Sequence, residues 1–505
     1  MPVDEEYSRI EAIWALAGSD SAGVEAELLC AVHDSNPQVR RAALTVLGGR
    51  YDSDYDGLFQ SALDDEDMDV RKVAAEHLIQ LGSDDACLAA VRSLRKSGRP
   101  EDVLLLVTAL HSEFDEVRDA AARALVFLKD LGCVGPLLSL VGNGSYGLEA
   151  RMKAASVLGN FDLPKVLDGL AALLADDFLW RAAASALGGS SSPYACDLLL
   201  EALCREGRDL QLAAAHGIRA NGDIRALHQL CGMLEGSDPI VRMYAANALA
   251  GLAEKLKAGE GETAAEEPLS AKVMSVAIPP LTLACRDADE WVRHRAVAAL
   301  GAIGAPQSAS YIVEALHDPS DWVFFAAAGA AAGMKISRAM DVILEQFAGD
   351  LPEDFDCRLS YAVASLVTLG DRRACAFLAR CAESPYWSTR VEAAHALLTL
   401  GNPRGWEILV RALGERDEDW HHCRAEIART IAGSRDPRAV EVLLAAMQGI
   451  DVDYDSDQRL LVAIIQGLGE FGDRRAAEAI GMWRHFEFPE HEGLVDEALR
   501  KLGEP

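Results

Sequence analysis

A helix-sized pattern recurs along this chain at a period of about 30 residues, and that repetition limits what it can fold into. The clearest copy runs from Asp289-Glu290-Trp291-Val292-Arg293 to Leu300-Gly301-Ala302-Ile303-Gly304: an acidic turn, a Val-Arg step, a helix rich in small residues and a closing glycine. A shorter helix precedes each copy, so the unit is a helix pair. Such a pair cannot bury its apolar face alone, whereas neighbouring pairs bury it continuously by stacking.

Second helices are expected to begin near Val39-Arg40, Val70-Arg71, Val117-Arg118, Ala150-Arg151, Leu179-Trp180-Arg181, Leu210-Gln211 and Val241-Arg242. The series resumes at Val292-Arg293, Val323-Phe324, Arg358-Leu359, Thr389-Arg390, Cys423-Arg424 and Leu460-Leu461. Leu369-Gly370, Leu400-Gly401 and Phe471-Gly472 read as endings, because glycine adopts the left-handed conformation that terminates helices. The segment from Asp84 to Glu113 keeps two helices but lacks the Val-Arg start. The polar stretch Lys257–Pro268 interrupts the rhythm. The chain is therefore expected to divide into an N-terminal arc (1–256), a flexible acidic insertion (257–275) and a C-terminal arc (276–505) continuous with the first.

The pattern Asp-x-x-Val-Arg-x-x-Ala-Ala-x-x-Leu-Gly-x-x-Gly resembles HEAT repeats, in the short form called PBS-lyase HEAT-like, over nearly the whole chain and about 13 to 15 units. The resemblance implies an all-α, right-handed superhelix of antiparallel helix pairs, with second helices lining a concave face. It also implies an Asp–Arg ladder between neighbouring units. Arginine is missing at Leu210-Gln211 and Val323-Phe324, so the ladder is expected to break there.

Lys plus Arg number 48 and Asp plus Glu 79, a formal net charge of −31. So acidic a chain repels a phosphate backbone, which argues against nucleic acid and for a protein partner with a basic surface. Eleven cysteines without CxxC pairs suit a reducing compartment. The acidic N-terminus lacks signal-peptide features, and no apolar run is long enough to span a bilayer; a cytoplasmic protein is expected.

Signals for chemistry are sparse, and no cofactor is expected. Asp52, Asp54 and Asp56 alternate as in the start of a calcium loop, but Leu63 stands where the closing acid belongs. Asp451–Asp457 alternates without the glycine, and His421-His422 and His491-Glu492 lack partner ligands nearby. No GxSxG, Walker or HExxH motif occurs.

Aromatic residues stand out instead. Trp291, Trp322, Trp387 and Trp420 lie near second-helix starts, joined by Phe324, Phe325 and Tyr386. Stacked units would align them as a stripe, and tryptophan and tyrosine are enriched at binding hot spots. Packing between turns is the structural alternative. Helical spacing places Arg41/Thr45, Lys72/Glu76, Asp119/Arg123, Met243/Asn247, His294/Ala298 and Val391/His395 on the inward face. His216 and His395 hold equivalent places in distant units and read as surface residues. The function expected is a non-enzymatic scaffold that binds a protein or peptide. Two alternatives are a bilin lyase-like enzyme or chaperone, which the resemblance implies, and an architectural subunit of a larger assembly.

Overall fold

The computed structural model describes residues 2–18, 23–50, 55–205, 207–259, 274–349, 351, 357–384, 386–414, 424–448, 450, 455–484 and 493–503. Among them every regular element is an α-helix or a short 3-10 turn. The chain divides into two compact units, Met1–Ser270 and Ala271–Pro505, parted within the stretch read as an insertion. Residues 260–273 of that stretch lie outside the described residues, as do Asp52, Asp54, Asp451–Tyr454, Trp420–His422 and His491-Glu492.

Both units are built from helix pairs. In the first, Val24–Ala31 pairs with Pro37–Arg50, Asp56–Ala62 with Met68–Leu81, and Asp84–Ser97 precedes Val103–Ala109 in the degenerate segment. In the second, Ile278–Ala284 pairs with Glu290–Ile303, and Ala309–Ala315 with Asp321–Gly333. The starts follow from side-chain chemistry. Asp67 accepts from the amides of Asp69 and Val70, and Asp289 from those of Trp291 and Val292, satisfying amide donors that helix geometry leaves free. The valine that follows is the anchor: Val39, Val70, Val117, Val292 and Val323 are all buried.

The arginine after that valine makes the ladder. Arg40 sends Nη1 to the carbonyls of Asp34 and Ser35, at 2.9 and 3.2 Å, and forks onto Asp65 of the next turn at 2.8 and 2.7 Å. Arg293 repeats this on the carbonyls of Asp287 and Ala288 and on the Asp318 carboxylate, at 2.8 and 3.0 Å. Each guanidinium thus ties its own turn to the next one by charge-assisted bonds.

The two expected breaks are bridged in different ways. At Phe324 the ring occupies the arginine's place, and Arg358 of the following second helix reaches back. Its Nη2 donates to the Asp318 carbonyl at 2.9 Å, and its guanidinium lies 4.4 Å from the Phe324 ring. At Gln211 the amide donates to the Arg205 carbonyl, and Arg208 pairs with Asp238 of the next turn. A third break was not expected. Leu179 takes the valine's place and is buried, so Trp180 occupies the ladder position and Arg181 falls one residue beyond it, exposed.

Small residues decide how closely second helices approach. A Cβ on Gly188 would lie 2.3 Å from the Gly217 carbonyl oxygen, and one on Gly217 would lie 2.9 Å from the Ala184 oxygen. The helices Trp180–Gly189 and Arg208–Asn221 therefore meet backbone to backbone.

Candidate partner-binding surface

Trp291 and Trp322 stand at the first turns of Glu290–Ile303 and Asp321–Gly333, which are successive second helices of the second unit. Their ring centroids lie 5.6 Å apart at 33°, in ordinary aromatic contact. They remain 41% and 47% exposed, so mutual packing has not removed them from solvent. Phe325, also exposed, packs at a tilt against Tyr361 of the next second helix, with centroids 4.2 Å apart and ring planes at 42°. Tyr361 was absent from the sequence reading; its signal is a tyrosine where other units carry alanine or valine.

Two residues expected on this surface do not belong to it. Phe324 is fully buried, because taking the ladder position turns it into the seam where Arg358 covers it. His294 is only 8% exposed, and its Nδ1 lies 2.8 Å from the Trp322 carbonyl oxygen. It ties the two helices together beneath the tryptophans instead of facing a partner.

The remaining expected residues are scattered. Tyr386 is half-buried at the start of Trp387–Thr399, and the Trp387 side chain lies outside the described residues, like all of Trp420. Met243 is half-buried on Pro239–Gly259 of the first unit. Phe178 and Ile240 in that unit directly precede Leu179 and Val241, as Trp291 precedes Val292, and both are exposed. Neither was among the residues expected on the surface, whose aromatic members all lie in the second unit.

Beyond Tyr361 the second helices of this unit form a trough. A cavity of about 430 Å³ is lined by Tyr361, Glu392, His395 and Thr399. The next, about 650 Å³, shares His395 and Thr399 and adds Glu426 and Arg429. A third, about 610 Å³, shares Arg429 and Gly433 and ends at Glu470 and Phe471. Shared walls make these one channel across four successive second helices. His395 lines it as its spacing predicted, whereas Val391, one turn earlier, is buried against the neighbouring helix.

Burial of His294 lowers its pKa; the Trp322 carbonyl favours the proton but does not outweigh desolvation. The folded state then binds this proton less readily than the unfolded chain, whose histidines titrate near about 6.5. Its stabilising contribution is present above that pH and is lost as pH falls below it. Asp65 and Asp176 are also lowered, since hydrogen bonds and arginine charge outweigh burial. Their contribution vanishes only in the acid carboxylate range, a separate window. Burial lowers His111 and His216 as well, so melting temperature is expected to fall from about pH 7.5 to about pH 5.5, and less so in His294→Asn, which keeps only the share of those two. A variant with the same pH slope as the wild type would show that His294 is not the source.

Among the described residues no three His, Cys, Asp or Glu side chains converge as metal ligands. Asp56, the one described member of the Asp52, Asp54 and Asp56 set, accepts from the Ser83 amide and hydroxyl at 3.2 and 2.9 Å, tying two helices together. No described helix is long and apolar enough to cross a membrane.

The family profile described as HEAT repeats matches residues 4–79, 25–104, 103–184, 179–250, 278–355 and 376–454. No curated protein sequence matches the chain. Among solved structures, Kap95p with RanGDP is similar at 14% identity and a TM-score of 0.45, over 96% of this chain and 72% of that one. Kap121p is similar at 13% identity and 0.47, over 96% of this chain and 57% of its own length. The complex of CpcE and CpcF of phycocyanin lyase from Nostoc sp. PCC7120 is similar at 18% identity and 0.32, over 55% of this chain and 94% of that one. None of these likenesses speaks to what this chain binds.

Proposed function

The chain belongs to the HEAT-repeat family, and on that premise we propose that it is a non-enzymatic scaffold that holds a partner protein along the second helices of its second unit. The observation that carries this reading is the exposed Trp291–Trp322 pair. Two contacting indoles kept in water on a rigid helix–helix seam are preorganised anchors, which is where hot-spot energy concentrates.

The partner segment we propose is extended and basic. The tryptophan pair and the trough together cover six successive second helices, from Glu290–Ile303 to Asp455–Phe471; at about 8–10 Å spacing these extend on the order of 45 Å, enough for about fourteen residues of extended chain. The trough walls carry Glu392, Glu426, Asp436 and Glu470 against Arg435 and Arg429, the latter paired with Glu426 at 2.8 Å, and the whole chain carries a charge of −31. Acidic surroundings steer cationic segments towards the site.

A lysine- and arginine-rich peptide of about fifteen residues tests this by fluorescence polarisation. Replacing Trp291 and Trp322 together by alanine is expected to weaken binding about 30-fold or more, the loss of a hot spot of at least about 2 kcal/mol. Melting should change little, since both rings are exposed. Unchanged affinity in the double variant would sink the proposal, as would equal affinity for an acidic peptide of the same length. The lyase alternative predicts instead a covalent adduct when the protein meets a bilin and an apo-phycobiliprotein.

A further inference from the structure

We infer that the first unit carries a binding site for a phosphoryl group, built from Arg181, Ser185, His216 and Tyr244, with Arg219 adding positive charge nearby. These residues come from three successive second helices, Trp180–Gly189, Arg208–Asn221 and Pro239–Gly259. The site arises from the unexpected ladder break. With Trp180 in the arginine's place, Arg181 is moved off the seam and joins no carboxylate among the described residues. Its guanidinium lies 5.0 Å from the Trp180 ring, and Nη2 stands 3.5 Å from the Tyr244 hydroxyl.

The aromatic rings brace the site and do not form a slot. Trp180, His216 and Tyr244 lie 5.9 to 6.4 Å apart between centroids, too close for another ring to enter. His216 Nε2 lies 3.0 Å from Ser185 Oγ. When Nε2–H donates to that oxygen, the Ser185 hydroxyl proton is free for a ligand. The stem of Arg219 runs against Gly251, where an added Cβ would lie 2.6 Å from Arg219 Cγ. That contact lies two turns beyond Tyr244 on the same helix. The charges that act on His216 are those of Arg181 and Arg219, both positive. In a chain with 31 excess negative charges, this is a local cationic platform.

The chemistry favours a phosphoryl group over a carboxylate. The Arg181 guanidinium, with the positive charge of Arg219 nearby, favours a ligand of charge about −1.5 to −2 at neutral pH over a singly charged one. The Arg181 fork and the Ser185 and Tyr244 hydroxyls offer more donors than a carboxylate's two oxygens can use, whereas three phosphoryl oxygens can use them. A phosphorylated protein side chain and a free phosphate share this chemistry. Ser185 and His216 do not amount to a hydrolytic centre: among the described residues no carboxylate orients the imidazole.

Calorimetric titration of the full chain tests the site, using inorganic phosphate, a phosphoserine peptide, its unphosphorylated twin and glutamate. Phosphate and the phosphopeptide are expected to bind, and Arg181→Ala to weaken both about tenfold or more. Arg181→Lys, which keeps charge but loses the fork, should recover only part. Melting curves should stay unchanged, because Arg181 is exposed and lies off the ladder. Tighter binding of the phosphopeptide than of phosphate assigns the ligand to a phosphorylated protein; equal binding assigns it to free phosphate, and either result keeps the site. Absent phosphate binding, unchanged affinity in both Arg181→Ala and Arg219→Ala, or equal binding of glutamate or the unphosphorylated peptide overturns it.

Discussion

Replacing Arg71 by alanine is expected to destabilise the first unit by about 3–5 kcal/mol, the cost of breaking a buried ion pair from one side. Arg71 lies 3.5 Å from Asp102, with side chains only 3% and 2% exposed, and its Nη1 donates to the carbonyls of Asp65 and Glu66, each at 3.0 Å. Its loss leaves the Asp102 carboxylate buried, accepting from the Ser97 hydroxyl at 2.8 Å but with no cation beside it among the described residues. Two turn carbonyls lose the same donor. For a unit of this size the melting temperature should fall by on the order of 10 °C.

The mechanism is separable by a double-mutant cycle. Arg71→Met with Asp102→Leu removes both charges, and buried pairs replaced by apolar groups often lose little. The double variant should therefore be more stable than Arg71→Ala alone. Arg286–Glu314 is the contrast: its side chains are 65% and 59% exposed, and breaking it should cost less than about 1 kcal/mol. A single-variant loss near that smaller figure for Arg71 would show that the ladder is not the main tie between units.

Gly188→Ala is expected to destabilise by about 2 kcal/mol although alanine is the better helix former. The added methyl would lie 2.3 Å from the Gly217 carbonyl oxygen and 3.0 Å from Ala220 Cβ. A backbone oxygen cannot rotate away, so the helices must separate, at an overpacking cost of about 3 kcal/mol. Up to about 1 kcal/mol is regained from helix propensity. Gly189 is the matched control, since a Cβ there meets nothing within 4 Å. Gly189→Ala should be neutral or stabilising by up to about 1 kcal/mol. Equal effects at both glycines, measured by denaturant titration, would refute the backbone-contact account. Because Arg181 and His216 sit on these two helices, Gly188→Ala should also weaken the phosphoryl site.

The sequence alone determined the kind of element and how it repeats. Val39, Val70, Val117 and Val292 are buried where the Val-Arg pattern placed them, and Gly370, Gly401 and Gly472 take the left-handed conformation at the expected endings. These properties are local: a cap, an apolar face and a terminator each act within one or two turns, so spacing reveals them. The exposed tryptophans were legible for the same reason, as large side chains at a position that most units fill with small or polar ones.

What only the tertiary structure decided is which neighbour each departure meets. Phe324 and Phe325 are adjacent aromatics, yet one is the seam under Arg358 and the other a surface ring on Tyr361. His294 looked like a groove residue until the Trp322 carbonyl, 28 positions later, came within 2.8 Å. Trp180 and Arg181 read as one more ladder start, and only stacking showed that a one-residue shift had moved the cation from seam to surface. His216, read as a solitary surface histidine, gained Ser185, Trp180 and Tyr244 from the helices on either side. In a repeat array each side chain's surroundings come from the units before and after it. A periodic sequence therefore specifies its scaffold within each unit, while its sites form between units, where a departure in one is completed by a residue about 30 positions away.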